Sequence, residues 1–247
     1  MLSMITIFIP AYNEERYLEN TVQTILRAKK TIKNLLLDII IVDDASIDST
    51  PQIIEKLKKR HAFIRSVRHE YNQGFGAGWK DAIRLAKYTK FIIIPGDNDA
   101  SLDLIIKLFK YRNEADMILG YYINKEGRSR LRNIFSYFYQ FVYMITFNIY
   151  LLQLNCVAIF STQKLRSLKL KSKRFTISAE INIKLLRSGA SFAETPGYME
   201  TDLDNFTPLK LKNMWEVFTT YLALVSEVFI TSRNIYNSKP VRVRLRD

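Results

Sequence analysis

A chain of 247 residues that is 48% hydrophobic and 25% charged is long enough to bury a sizeable core and too apolar for a disordered protein. Lys and Arg number 37 against 24 Asp and Glu, a net charge of +13, so an anionic partner is expected: nucleic acid, a phosphorylated small molecule or an anionic membrane surface. Cys156 is the single cysteine, which excludes an intramolecular disulfide, argues with the two histidines against a Cys/His zinc site, and fits a reducing, cytoplasmic setting.

The first apolar run, MITIFIP (4–10), has no basic stretch before it and meets a proline and charges after it, so it reads as a buried strand and not as a secretion signal. Leu18, Val22, Ile25 and Leu26 then fall at helical spacing within 13–30. LDIIIVDD (37–44) is a second strand, and DSTPQIIEKLKKRH (48–61) a helix with Asp48 or Ser49 as cap and Pro51 in its first turn. The alternation continues with strand FIRSVRH (63–69), helix GWKDAIRLAKYT (78–89), strand KFIIIPGD (90–97), helix SLDLIIKLFKYR (101–112) and strand ADMILGY (115–121). It predicts an α/β fold, a doubly wound, mostly parallel sheet flanked by helices, with ligands at the carboxyl ends of the strands.

Past residue 121 the rhythm breaks. A basic loop, NKEGRSRLRN (124–133), leads into IFSYFYQFVYMITFNIYLLQL (134–154), which Ser136, Gln140, Asn148 and Gln153 interrupt. Its tyrosines suit an interface better than a hydrocarbon centre, so it reads as a helix in the core or docked on a bilayer, not as a membrane span. NCVAIFST (155–162) is a further strand, SAEINIKLLRSG (178–189) a helix and ASFAETP (190–196) a closing strand. Residues 1–200 form the expected main domain, and 201–247 an amphipathic helical and basic extension. In that extension Met214, Trp215, Val217 and Phe218 read as ordinary core packing. The tail alternates Lys239, Arg242, Arg244 and Arg246 with Val241, Val243 and Leu245, as an edge strand, a solvated end or a patch for anionic lipid.

Four polar clusters stand at successive strand ends: PAYNEE (10–15), DDASIDST (43–50), NQGFGAG (72–78) and GDNDA (96–100). Taken singly, Asp43 and Asp44 fit a turn before a capped helix, and the glycines fit a flexible turn, because no acidic ribose reader ends the next strand. Asp97 and Asp99 stand at i and i+2, which in an extended segment turns both carboxylates to one side. Such like charges repel unless a ligand joins them, and Mg²⁺ or Mn²⁺ prefers hard oxygen ligands of this kind; the alternative is a surface turn.

The series IPAYNEE, IIIVDDASIDST, NQGFGAG and GDND resembles the nucleotide-sugar-binding half of family 2 glycosyltransferases, which share the GT-A fold. FTISAEINIKLLRSGASFAETP (175–196) is similar to the F-x(4)-E, helix, G, strand, E-x-P segment of the polyprenyl-phosphate branch, which includes dolichyl-phosphate mannosyltransferase. The resemblance implies that Pro10, Ala11, Tyr12 and Glu14 line the base and ribose pocket with Val42, Gly76, Gly96 and Asn98, and that Asp43 or Asp44 reads the base or ribose. It implies that Asp97 and Asp99 hold Mg²⁺ or Mn²⁺ on the diphosphate of a UDP- or GDP-linked donor, that Arg130 and Arg132 meet a lipid phosphate, and that Glu180 lies on the acceptor side. The branch's glutamine after D-x-D is replaced by Ser101, and the lysine of its G-K-G loop by Phe75.

The implied reaction is inverting transfer of a sugar to a polyprenyl phosphate, by a protein peripheral to the inner face of the membrane. The alternative is transfer to a sugar hydroxyl in cell-surface polysaccharide synthesis, with Glu180 as general base. A non-enzymatic membrane adaptor is a third reading. A nucleic-acid module is disfavoured, since the basic residues are spread along the chain.

Overall fold

The computed structural model describes residues 3–124, 130–200 and 211–246, and of residues 130–133 and 211–214 the backbone only. The first half alternates β1 (Ser3–Ala11), α1 (Leu18–Thr31), β2 (Leu35–Asp43), α2 (Thr50–Arg60), β3 (Ile64–Arg68), α3 (Phe75–Leu85), β4 (Lys90–Ile93), α4 (Leu102–Tyr111) and β5 (Met117–Tyr122). Then follow α5 (Arg130–Phe147), β6 (Ala158–Ser161), α6 (Thr162–Arg166), α7 (Thr176–Arg187), β7 (Ser191–Gly197), α8 (Leu211–Ser226), one π-helical turn (Glu227–Thr231) and β8 (Val241–Arg242). Among the described residues eight strands make one sheet in the order β3-β2-β1-β4-β6-β5-β7-β8. Only β6 runs against its neighbours, so the expected mostly parallel, doubly wound sheet is what forms.

Helices cover both faces, and the strands sort their side chains with a period of two. Ile5, Ile7 and Ile9 of β1 and Ile39 and Ile41 of β2 face a core shared with α1, α2 and α4. Phe8, Ile40, Val42 and Phe91 face the opposite core, with Trp79 of α3, Phe147 of α5 and Ile181 of α7. Trp79 lies 5.6 Å from the rings of both Phe8 and Phe91, locking α3 over the sheet centre.

Local departures from the sequence reading have physical causes. The first helix begins at Leu18, not near residue 13, because residues 12–17 are used as a loop in which Asn13 has φ of 58°. The third helix begins earlier than expected, at Phe75. Gly74, with φ of 90°, precedes it, and Gly76 is already helical: a Cβ there would lie 2.6 Å from the Ser172 carbonyl oxygen. Close backbone approach, not turn flexibility, is what that glycine provides.

The aromatic segment also divides its residues. Tyr143 and Phe147 are core, whereas Ile134, Phe138, Phe141 and Ile145 are exposed at helical spacing. Among the described residues no helix is long and apolar enough to cross a membrane. Trp215 and Phe218, expected in the core, are exposed instead. Of the alternatives for the tail, the edge strand is observed: β8 pairs with β7, and the Val243 N–H donates to the Phe192 carbonyl at 2.8 Å.

Lys184 of α7 is fully buried and joins three segments. Its Nζ lies 2.6 Å from Glu180 Oε1, 2.8 Å from Glu227 Oε1 of the π-helical turn, and donates to the Lys169 carbonyl at 2.6 Å. Removing one partner of a buried ion pair strands the other charge. Lys184→Met is therefore expected to lower stability by about 3–5 kcal/mol in equilibrium urea unfolding. Lys58→Ala, which breaks the surface pair with Glu55, is expected to stay within about 0.5 kcal/mol of the parent.

Candidate active site

Because β1, β2 and β4 are parallel and adjacent, their carboxyl ends deliver three of the four polar clusters to one edge of the sheet. The first two clusters are laced together. The Asn13 N–H donates to Ser46 Oγ at 2.9 Å, the Glu14 N–H to Thr50 Oγ1 at 2.8 Å, and in return the Ile47 N–H donates to Asn13 Oδ1 at 2.9 Å. The polar residues of DDASIDST thus shape the loop after β1, and leave Tyr12 exposed and Glu14 half-buried.

The third contributor is the turn after β4. The expected extended arrangement of Asp97 and Asp99 is replaced by a tight turn: Asn98 takes φ of 57°, and the Asp99 N–H donates to Asp97 Oδ1 at 3.2 Å. Thr24 Oγ1 donates to Asn98 Oδ1 at 3.1 Å and Thr21 Oγ1 to the Gly96 carbonyl at 2.9 Å, so α1 holds the turn. A Cβ on Gly96 would lie 2.9 Å from the Pro10 carbonyl oxygen and 3.3 Å from Glu14 Cγ. The turn therefore lies directly on the loop after β1. On its other side the Glu200 N–H donates to the Asp99 carbonyl at 2.9 Å.

Negative charge accumulates at this edge. Burial, then Asp97, Asp48 and Asp99, push the Glu14 carboxyl up to about 8. Burial, then Cys156, Asp97 and Asp99, raise the Tyr122 hydroxyl well above its ordinary value. Both carboxylates of the turn thus act on Glu14, after β1, and on Tyr122, at the end of β5. Among the described residues no three His, Cys, Asp or Glu side chains form a complete metal cage. Two hard oxygen donors beside excess negative charge fit a divalent cation whose remaining ligands are phosphate oxygens and water.

Asp43 and Asp44 separate in role. Asp43 is buried; its Oδ1 accepts the Ser46 N–H at 2.8 Å, while Oδ2 lies 3.4 Å from Arg68 Nε and has no hydrogen-bond partner among the described residues. Asp44 accepts the N–H groups of Gln73 and Gly74, each at 2.8 Å, and its Oδ1 lies 2.6 Å from His69 Nδ1. It builds the glycine-rich turn. Ala11 and Val42, expected to line the base and ribose pocket, are buried side chains of the two cores, Val42 packed against Gly78. The Gly76 N–H donates to the Lys173 carbonyl at 2.8 Å, which places that glycine against residues 172–174.

Glu180 is buried and not a helix-surface charge. Besides Lys184, it accepts the N–H of Lys171 at 2.9 Å and of Ser172 at 2.8 Å. Burial pushes its carboxyl up, but the hydrogen bonds from Lys184 and Ser172 and the lysine charge outweigh this and hold it below its ordinary value. Such a carboxylate anchors backbone. Arg130 and Arg132 open α5, and their side chains lie outside the described residues. His69 and Asp81, which hydrogen-bond beside Asp44, were not legible as site residues; the only signal was a histidine three positions before the glycine-rich turn.

The Glu14 shift has a sign that can be checked. A carboxyl raised on folding stabilises the folded state below its unfolded value near 4.5, and that contribution is lost as pH rises through about 8. In chelator, the thermal midpoint is expected to decline across this window, and Glu14→Gln is expected to flatten the decline. Parallel curves for the two proteins would exclude the charge cluster as its cause.

The sequence matches the family described as Glycosyl transferase family 2 over residues 6–167, more than half of the chain. It is 32% identical over 127 residues to the glycosyltransferase GlyG of Streptococcus pneumoniae, covering 50% of this chain and 40% of that protein. It is 27% identical over 135 residues to the poly(ribitol-phosphate) beta-glucosyltransferase of Bacillus spizizenii, covering 53% of this chain and 21% of that protein. The chain thus spans less than half the length of either relative. In fold it is similar to glucosyl-3-phosphoglycerate synthase from Mycobacterium tuberculosis, solved with Mn²⁺, uridine diphosphate and phosphoglyceric acid. The TM-score is 0.65 at 16% identity, over 90% of this chain and 78% of that one. With the order of its strands and the span of this match in agreement, the chain belongs to glycosyltransferase family 2.

Proposed function

We propose that the chain moves a sugar, with inversion, from a UDP- or GDP-linked donor to a lipid monophosphate at a membrane surface, using Mg²⁺ or Mn²⁺ at Asp97 and Asp99. The observation that carries this reading is the contact of the Asp97-Asn98-Asp99 turn with the Pro10–Glu14 loop, where burial and neighbouring carboxylates push Glu14 up to about 8. When bound, the cation supplies Lewis-acid stabilisation of the departing nucleoside diphosphate. Pro10, Ala11, Tyr12 and Glu14 wall the nucleoside, with Gly96 and Asn98 shaping the turn beneath the diphosphate. In this reading Asp43 or Asp44 reads the base or ribose.

The state of Glu180 supports an acceptor that is already ionised. A hydroxyl needs a base to take its proton, whereas a phosphate needs orientation and cations, which Arg130 and Arg132 supply in this reading. A carboxylate committed to Lys184 and two backbone N–H groups suits positioning better than proton abstraction. α5 and α8, in contact through Tyr143 and Tyr221 at 5.2 Å, each leave apolar residues exposed: Ile134, Phe138, Phe141 and Ile145 on the first, Trp215, Phe218 and Leu222 on the second. An aromatic face on a chain of net charge +13 suits peripheral docking on an anionic leaflet, in a cytoplasmic location. A second reading, transfer to a hydroxyl of a cell-surface polymer with Glu180 as base, is favoured by the name of the Bacillus spizizenii relative.

The test is a screen of UDP- and GDP-sugars with Mn²⁺ or Mg²⁺, offering polyprenyl phosphate in anionic vesicles or a soluble polyol-phosphate polymer. Asp97→Ala and Asp99→Ala are expected to lose transfer by about 100-fold or more. Equal activity in all three proteins ends the metal assignment, and transfer to the polymer alone selects the second reading. Phe138→Ser with Phe141→Ser is expected to abolish vesicle flotation and lipid glycosylation while leaving donor hydrolysis intact.

A further inference from the structure

His69 follows β3 directly and is buried, with its backbone N–H donating to the Asp43 carbonyl at 2.9 Å. Its two ring nitrogens each face a carboxylate. Nδ1 lies 2.6 Å from Asp44 Oδ1, at the carboxyl end of β2, and Nε2 lies 3.1 Å from Asp81 Oδ2, on α3. An ionised carboxylate only accepts hydrogen bonds, and a neutral imidazole carries one N–H. Both contacts can be hydrogen bonds only if both nitrogens are protonated.

The two carboxylates matter for different reasons. Asp44 also receives the N–H groups of Gln73 and Gly74, so the same carboxylate that grips the ring sets the entry to α3. Asp81 sits one and a half turns into that helix and shares its other oxygen with Arg84 Nη2 at 3.1 Å. The ring therefore bridges the start of the glycine-rich turn to the body of α3. The charged groups around it are Asp44 from β2, and Asp81 and beyond it Arg84 from α3. Arg68 of β3 is directed to Asp43 Oδ2 and the Ser46 carbonyl.

We propose that His69 is a positioning residue of the donor site: as an imidazolium it clamps Asp44 to Asp81, fixing the glycine-rich turn, and donor binding weakens when the ring loses its second proton. The clamp rests on the proposed nucleotide-sugar donor site. In the neutral ring one nitrogen presents a lone pair to a carboxylate, and the longer Asp81 contact is the one expected to open. Burial pushes the ring's pKa down, but the hydrogen bonds and charges of Asp44 and Asp81 outweigh it, so the value stands above the ordinary 6.5. A histidine raised on folding contributes stability that is fully present below its unfolded value and lost as pH rises through the folded one. The window thus begins near 6.5 and extends upward.

Two measurements test it. Nitrogen-detected NMR of the ring is expected to show both nitrogens protonated at pH 6, with Asp81→Asn moving the titration to lower pH. Calorimetry with UDP and with GDP, in Mg²⁺ from pH 6 to 9, is expected to show affinity falling about tenfold across the window, the loss typical of a hydrogen bond to a charged group. His69→Gln, which keeps a donor without the charge, is expected to bind about tenfold more weakly at pH 6 and to show a shallower profile than wild type, keeping only the decline that other groups such as Glu14 contribute. A ring with a single N–H at pH 6, or parallel profiles for wild type and His69→Gln, overturns the clamp. Failure of wild type to bind either nucleotide at any pH overturns the donor reading instead, and the ring nitrogens then decide the clamp by themselves.

Discussion

The structure turns on the cost of gathering carboxylates along one edge of a parallel sheet. Adjacent parallel strands must deliver their following loops to the same side, and in this chain those loops carry Glu14, Asp43, Asp44, Asp48, Asp97 and Asp99. Each acid meets that cost differently. Burial pushes Asp48 up, but hydrogen bonds from Thr50 and Glu15 hold it below its usual value. Asp43 has the Ser46 N–H and the nearby Arg68, Asp44 two backbone N–H groups and a histidine, and Glu14 retains its proton near neutral pH. After burial, Asp97 and Asp99 are among the causes that raise both Glu14 and Tyr122, so their turn is felt on two sides of this edge.

Much of this was legible because the signals are local. Runs such as Ile39-Ile40-Ile41-Val42 can be satisfied only by a strand buried on both faces, and the acid-bearing loops follow such runs directly. What escaped the sequence depends on contacts from far along the chain. Residues 13–17 have helical composition, but Ser46 and Thr50 claim their backbone N–H groups. Gly76 resembles a flexible turn residue because the Ser172 and Lys173 backbone that presses on it lies almost a hundred positions away. Asp97 and Asp99 were recognisable as a pair, yet the left-handed Asn98 between them is set by Thr24 of α1.

Exposed aromatic residues show a related limit. Periodicity distinguishes the two faces of a helix but not which of them meets the core. In α5 the buried face holds Tyr143 and Phe147 while a second apolar face is left open, and in α8 Trp215 and Phe218 are on the open side. Two helices that each keep one apolar face outward after satisfying the core carry surplus hydrophobic area, and that surplus, not hydrophobicity as such, is what distinguishes a docking surface.

Glu180 illustrates how a buried carboxylate can hold a loop by its backbone. Its carboxylate receives the N–H groups of Lys171 and Ser172, Lys184 holds the Lys169 carbonyl, and the Lys173 carbonyl receives the Gly76 N–H. The backbone of 169–173 is thereby pinned at four of its five residues between α7 and the glycine-rich turn, while the side chain of Lys171 pairs with Glu227 and that of Arg174 with Glu216. A loop of this basic composition would otherwise repel itself and fray. Fixing its backbone from below by a buried carboxylate and lysine lets the cations remain at the rim, beside the turn that Asp44 builds. An acid placed there to abstract a proton would have to give up these bonds first, and the segment they hold with them.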